Sequence, residues 1–253
     1  MLIAHLSDLH IDTAESANTR RLQVALAALA QVRPRPQLVL ITGDLTQHGR
    51  LEQYQLLREL LRDCGPYVLV PGNHDDAAVT HRVFPEESPP AGGMLRLELE
   101  GLSLILADSC VARQDYGELG NELLHSMALE LDCDPRPTLL AMHHPPVPAQ
   151  VPAMEGMGLR QIPAFQEWVE RRACITAILV GHYHQAQFTT LGGCCPVIVA
   201  PSVAPPLIAD FTALSFQVEI KAPAGLLHLW KQRRLSSHLF ICDLPIASPQ
   251  EKQ

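Results

Sequence analysis

Five short apolar runs in this chain each end in His, Asp or Asn. Leu2-Ile3-Ala4-His5-Leu6 leads into Ser7-Asp8-Leu9-His10, and Leu38-Val39-Leu40-Ile41 into Thr42-Gly43-Asp44. Tyr67-Val68-Leu69-Val70-Pro71 leads into Gly72-Asn73-His74-Asp75-Asp76. Thr138–Met142 leads into His143-His144-Pro145-Pro146, and Ile175–Val180 into Gly181-His182-Tyr183-His184. One such junction is an ordinary turn, because Gly and Asn tolerate unusual backbone angles and Asp caps helices. A turn does not explain the recurrence. Short buried strands with polar carboxyl ends are what an open α/β sheet presents where it binds ligands.

The intervening segments support that reading. Residues 2–7, 38–42 and 67–70 read as strands, separated by helices over 18–32 (Leu22, Leu26, Leu29) and 50–63 (Tyr54, Leu57, Leu60, Leu61). Pro34 and Pro36 stop the first helix. Such alternation implies parallel strands with helical crossovers. Residues 95–106 alternate with period two around Gly101 and predict a hairpin. Helices are expected over 75–84, 119–131 and 160–172, and strands over 138–142 and 175–180. Beyond residue 184 only strands are expected: 186–191, 196–200, 214–220 and 226–230. There is no repeat and no linker, and the proline-rich stretch 145–152 reads as a loop, so 1–253 is expected to be one domain. Its C-terminal strands, 186–245, are expected to complete the second sheet.

The clustered residues are metal-ligand types. Asp8 and His10, like His182 and His184, stand two apart and would point to one side of an extended backbone. Asp44 adds a carboxylate, Asn73 an amide oxygen and His143 an imidazole. Nitrogen and oxygen donors without thiolate suit Mn, Fe, Zn or Co, and they argue against a structural zinc site. These donors exceed the needs of one ion. Two divalent ions sharing a carboxylate would use them, as in two-metal phosphoryl chemistry.

Together the five motifs resemble the full set of the calcineurin-like metallophosphoesterases, in order, over residues 2–184. The resemblance implies a four-layer αββα sandwich, two mixed β-sheets packed face to face with helices outside. It implies that Asp8, His10, Asp44 and His184 hold one metal, and that Asp44, Asn73, His143 and His182 hold the other, with Asp44 bridging. His74 would face the substrate together with Asn73 and act on the leaving group. MLIAHLSDLH, PGNHDD and MHHPP are similar to the class III cyclic-nucleotide phosphodiesterases and related glycerophosphodiesterases. That branch implies hydrolysis of small phosphodiesters by a metal-bridging hydroxide. A phosphomonoesterase on the same site, or a binding protein with a dead site, are the alternatives. The protein phosphatases of the superfamily carry Gly-Asp-x-x-Asp-Arg-Gly; here Gln47 replaces the second Asp and the Arg is absent, which argues against that activity.

Composition removes other classes. The net charge is -8 and no Lys/Arg-rich run occurs, so no nucleic-acid polymer is expected as partner. No apolar stretch reaches the ~18 residues of a membrane span. No signal peptide is expected, because the chain starts directly in a strand-like run. The seven scattered cysteines form no C-x-x-C pair, and free thiols imply a cytoplasmic protein. The sequence leaves a homo-oligomer open. His5, His48, His81, His125, His228 and His238 read as core or surface residues. His144 reads either as a support for a ligand or as a loop residue. Asp75 is expected to cap the helix over 75–84, with orientation of His74 as the alternative; Asp76 is expected at the surface and Asp12 in a loop. The loop 201–211 is the candidate for substrate selection.

Overall fold

In the computed structural model, which describes residues 1–242, two sheets pack face to face. The first takes shape from three parallel strands, β1 (Leu2–Leu6), β2 (Leu38–Thr42) and β3 (Tyr67–Val70). They are joined by α1 (Ala17–Leu29) and α2 (Leu51–Leu60). Ile3 pairs with Leu38 and Val39 with Tyr67. Every residue of β2 is buried, as a parallel strand covered on both faces requires. Ser16 starts α1 by accepting from the Thr19 N–H, which satisfies one of the four donors a helix start leaves open.

After α3 (Ala77–Val83) the chain enters the second sheet. The expected hairpin forms as β4 (Met94–Leu99) and β5 (Leu102–Ala107). It turns at Gly101, whose φ of +69° a side chain would disfavour. Next come α4 (Asn121–Cys133), β6 (Thr138–Ala141), α5 (Ile162–Glu170), β7 (Ile175–Val180), β8 (Gln187–Leu191) and β9 (Cys195–Val199). The order is β4-β5-β6-β7-β9-β8.

The last two strands correct the expectation for 186–245. β10 (Ala224–Lys231) and β11 (Arg234–Ile241) return to the first sheet, β10 pairing antiparallel with β1 (Leu2↔Leu229). Only β8 and β9 complete the second sheet. Residues 243–245 lie outside the described residues. The apolar edge that β1 would otherwise leave open is what β10 covers. The expected strand over 214–220 reduces to one bridge, Leu207↔Val218. Leu214, Phe216, Val218 and Ile220 alternate as a strand should, yet all are exposed.

Strand periodicity makes the layers. Ile3, Leu40 and Val70 of the first sheet meet Leu104, Leu139 and Leu179 of the second in an inter-sheet core. The alternate residues Ala4, Leu6, Val39 and Ile41 face α1 and α2 through Leu22, Ala25, Tyr54 and Leu57. On the far side Ile105, Leu140 and Val180 face α4 and α5 through Leu123, Met127, Phe165 and Val169. The fold is therefore the four-layer αββα sandwich. Each fully buried Leu or Ile contributes about 1.5–3 kcal/mol of transfer free energy, which makes the three layers of contact the main support of the strand ends. The described residues contain no disulfide.

Candidate metal centre

Parallel strands put all their carboxyl ends on one side, so the loops after β1, β2, β3, β6 and β7 meet there. Pairing continues past the strands: Asp8 N–H donates to Gly43 O at 3.1 Å, His10 N–H to Asp44 O at 2.8 Å. The two sheets are tied together at this end, because His182 N–H donates to the Asp8 carboxylate at 3.1 Å. Gly181 lies so close to the Ser7 hydroxyl that a Cβ would collide with it.

The backbone here is unusual. Asp8, His10, Asp44, His182 and His184 all have φ between +46° and +70°. L-residues rarely adopt this region, and such strain collects at functional sites. It also corrects the extended-backbone argument for Asp8/His10 and His182/His184. β1 ends at Leu6 and β7 at Val180, and the pairs converge through left-handed turns rather than along a strand.

All eight residues singled out by the motifs gather in one place. His10 Nε2 lies 3.5 Å from Asp44 Oδ2 and 3.1 Å from His184 Nε2, and His184 Nε2 lies 3.6 Å from Asp8 Oδ1. On the other side His143 Nε2 lies 3.4 Å from Asp44 Oδ1, 3.1 Å from Asn73 Oδ1 and 3.1 Å from His182 Nδ1. Asp44 thus turns one oxygen to each group. Its Oδ1 also accepts the His74 N–H at 2.9 Å. The His74 ring stands edge-on to His10 at 4.6 Å, and its Nδ1 meets the Gln47 carbonyl at 3.1 Å. A backbone oxygen therefore orients His74 where the protein phosphatases would use a carboxylate.

Electrostatics here are those of a cation site. Burial, reinforced by neighbouring imidazoles, lowers His10 and His182 to about 3 and keeps both neutral, the state in which imidazole ligates. Burial opposes protonation of His143 too, but the Asp44 charge and hydrogen bond outweigh it and raise the group to about 9. Burial raises Asp8, while burial of Asp44 is overcome by His143 and His10, leaving it well below the usual carboxylate range. Imidazole nitrogens 3.1 Å apart in two pairs, each beside a buried carboxylate oxygen, are more than shared protons serve. Asp8, His10, Asp44 and His184 bring one ligand atom each within 4.8 Å of one another, as do His143, His144 and His182. The donors fit divalent cations.

Sequence reasoning missed the parts played by Asp75 and Arg21, left that of His144 open, and placed Asp12 in its loop without its partner. Asp75 does not cap α3; Asp76 does, accepting from Val79 N–H. Asp75 is half-buried and accepts from Leu45 N–H, Thr46 N–H, Thr46 Oγ1, Gly72 N–H and Tyr54 OH, all within 3.1 Å. It ties the β2 loop to the β3 loop. Burial and the Asp44 charge hold its carboxyl up at about 6 despite those bonds. His144 is buried, stacks edge-on to His143 and meets Ser109 Oγ at 2.9 Å, so it supports the site rather than lying in an open loop. Asp12 accepts from Gln53 Nε2 at 2.8 Å, which anchors its loop to α2. Arg21 donates to Val203 O, Ala204 O and Lys221 O and fixes the loop after β9. A lone charge on the inward stripe of α1, one turn from Ala25, was the signal for it.

An αββα sandwich whose strand ends collect buried imidazoles and carboxylates defines a candidate metallohydrolase. Residues 1–186 match the family described as calcineurin-like phosphoesterase, and the chain belongs to that family. It is similar to a probable cyclic nucleotide phosphodiesterase of Synechococcus sp., with 30% identity over 225 residues covering 85% of this chain and 87% of the relative. It is also similar to a probable glycerophosphodiester phosphodiesterase, GpdQ, of Arcobacter nitrofigilis: 28% identity over 253 residues, 94% of this chain and 92% of the relative. A dimetal phosphatase from Danio rerio shares the fold with a TM-score of 0.64 at 13% identity, covering 96% of this chain and 99% of that one.

Proposed function

We propose that the protein is a dinuclear metal-dependent phosphodiesterase acting on small diesters such as 3′,5′-cyclic nucleotides. The observation that carries this reading is the division of Asp44, one oxygen toward each donor group. Asp8, His10, Asp44 and His184 would hold one divalent ion, and Asp44, Asn73, His143 and His182 the other. When bound, the pair would supply Lewis acidity and an activated water. Nitrogen and oxygen donors without thiolate suit manganese, iron, zinc or cobalt. Asn73 is a neutral donor, which preserves positive potential for an anionic phosphate. His74, half-buried at the rim with Nδ1 held by Gln47 O, presents its other ring nitrogen as proton donor to the leaving oxygen. The names of relatives support a diester over a monoester, and so does the absence of the phosphatase Arg after Gly43-Asp44. Glycerophosphodiesters are the second reading, favoured by the 94% coverage of the match to GpdQ. We read the chain as one cytoplasmic domain; among the described residues no helix is long and apolar enough to cross a membrane.

The test is the leaving-group dependence of His74→Ala. Turnover should fall by about 10²–10⁴ on a diester with an alkoxide leaving group, and much less when p-nitrophenolate leaves, while two metals per chain remain. Equal losses on both would remove the general-acid role.

A further inference from the structure

Beside His184 lies a groove of about 680 Å³. His184 is a side chain shared by this groove and the donor cluster, whereas the comparable groove along the 147–163 loop contains none of the eight site residues. Its walls are aliphatic: Pro206, Leu207 and Ile208 on one side, Leu239 and Ile241 of β11 on the other. Three of these are open to water, Ile208 at 38%, Leu239 at 54% and Ile241 at 56%. The wall is nonetheless preformed. Arg21 holds Val203 O and Ala204 O, and Val203 N–H and Ala204 N–H donate to Ser7 O and Asp8 O at 2.9 and 3.0 Å. Farther along, Ile208 N–H donates to Gln217 O and Glu219 N–H to Pro206 O, which pairs the two limbs of the loop. The polar groups present are already engaged: Gln185 Nε2 donates to Leu207 O, and Lys221 Nζ pairs with Glu219 at 2.6 Å.

We propose that this groove receives the nucleobase of a nucleotide diester whose phosphate lies at the donor cluster. The inference rests on the phosphodiesterase reading, which already includes cyclic nucleotides, and adds to it the walls that would hold the base. A flat heteroaromatic ring has apolar faces that aliphatic walls can cover, and a groove of this size takes a purine. A glycerol substituent would bring hydroxyls to a surface with few unengaged partners, and those hydroxyls would lose their hydrogen bonds to water.

The experiment uses the metal-loaded protein with 3′,5′-cyclic AMP and with methyl p-nitrophenyl phosphate, which lacks a base. It also measures AMP affinity by calorimetry, which does not depend on turnover. Ile208→Gln and Leu239→Gln, neutral changes at exposed wall positions, should lower kcat/KM for cyclic AMP about tenfold relative to the small diester, and weaken AMP binding to a similar degree. Leu214→Gln, exposed and outside the groove, should alter neither. An unchanged ratio and unchanged AMP affinity in the wall variants would overturn the groove assignment and leave the diesterase standing. A wild type that prefers glycerophosphocholine to cyclic AMP would overturn it as well. If neither diester is hydrolysed, the diesterase reading falls, and AMP affinity alone then decides the groove.

Discussion

Asp75 shows how a single side chain can decide the site without entering it. Five donors, four from two loops and one from α2, converge on its carboxylate, three at Oδ1 and two at Oδ2. Asp75→Asn keeps the shape but turns one oxygen into a donor. Whichever way the amide faces, at least two of the five donors lose their acceptor. Each orphaned buried donor costs about 1–3 kcal/mol. The larger effect should be on the neighbours, since Asp44 and Asn73 ride on the loops that Asp75 joins. Metal affinity should fall by about 10–100-fold, the usual consequence of removing a group that orients ligands. Competition with a chelator of known affinity measures it. Wild-type affinity in a folded Asp75→Asn protein would show that the loops hold themselves.

At the scale of elements, the sequence revealed what is local. β1, β2 and β3 were legible because each is a short apolar run closed by polar residues, and α1 and α2 because their Leu stripes repeat with helical period. The pairing of β1 with β10 was not legible, since no local pattern links Leu2 to Leu229. Residues 214–220 misled for the same reason: alternation specifies a strand only where a second strand is present to pair with it. His5 and His228 read as plain core histidines, yet they build a row across the first sheet. Thr42 Oγ1 meets His5 Nε2 at 2.8 Å, His5 Nδ1 meets His228 Nε2 at 3.0 Å, and His228 Nδ1 meets Ser237 Oγ at 2.8 Å. Burial lowers both histidines, His228 to about 4, with His238 adding repulsion. The unfolded chain, titrating near 6.5, then binds more protons than the folded one between about pH 6.5 and 4. Stability must therefore fall as pH drops through that window and be fully present above it. His228 alone should cost about 2 kcal/mol between pH 7 and 5. Urea unfolding in chelator should show His228→Gln losing less than wild type over that step; parallel losses would mean that the row stays neutral for free.

The whole molecule is two half-domains meeting at an electrostatic seam. The first sheet carries Asp8, His10, Asp44 and Asn73; the second carries His143, His182 and His184. The inter-sheet core of Ile3, Leu40, Leu104 and Leu179 holds the sheets together over most of their length. At the ligand end the contacts are different: histidines and carboxylates packed at 3.1–3.6 Å, with few apolar groups between them. Divalent ions held by donors from both sheets would act there as a clamp that exists only in the folded state. A ligand that binds only the folded chain at 1,000 times its dissociation constant stabilises by about 4 kcal/mol. For a domain of this size each kcal/mol moves Tm by about 2–4 °C. Removing the metals with EDTA should therefore lower Tm by about 10 °C without abolishing the cooperative transition, since the apolar layers remain. In Asp44→Asn, which takes an oxygen from both groups, the same chelation should move Tm by less than half as much, because little metal is left to remove. Calorimetry with and without EDTA reads both shifts. A wild-type Tm indifferent to chelation would mean that the seam is closed by protein alone, and that the ions, wherever they bind, do not join the two sheets.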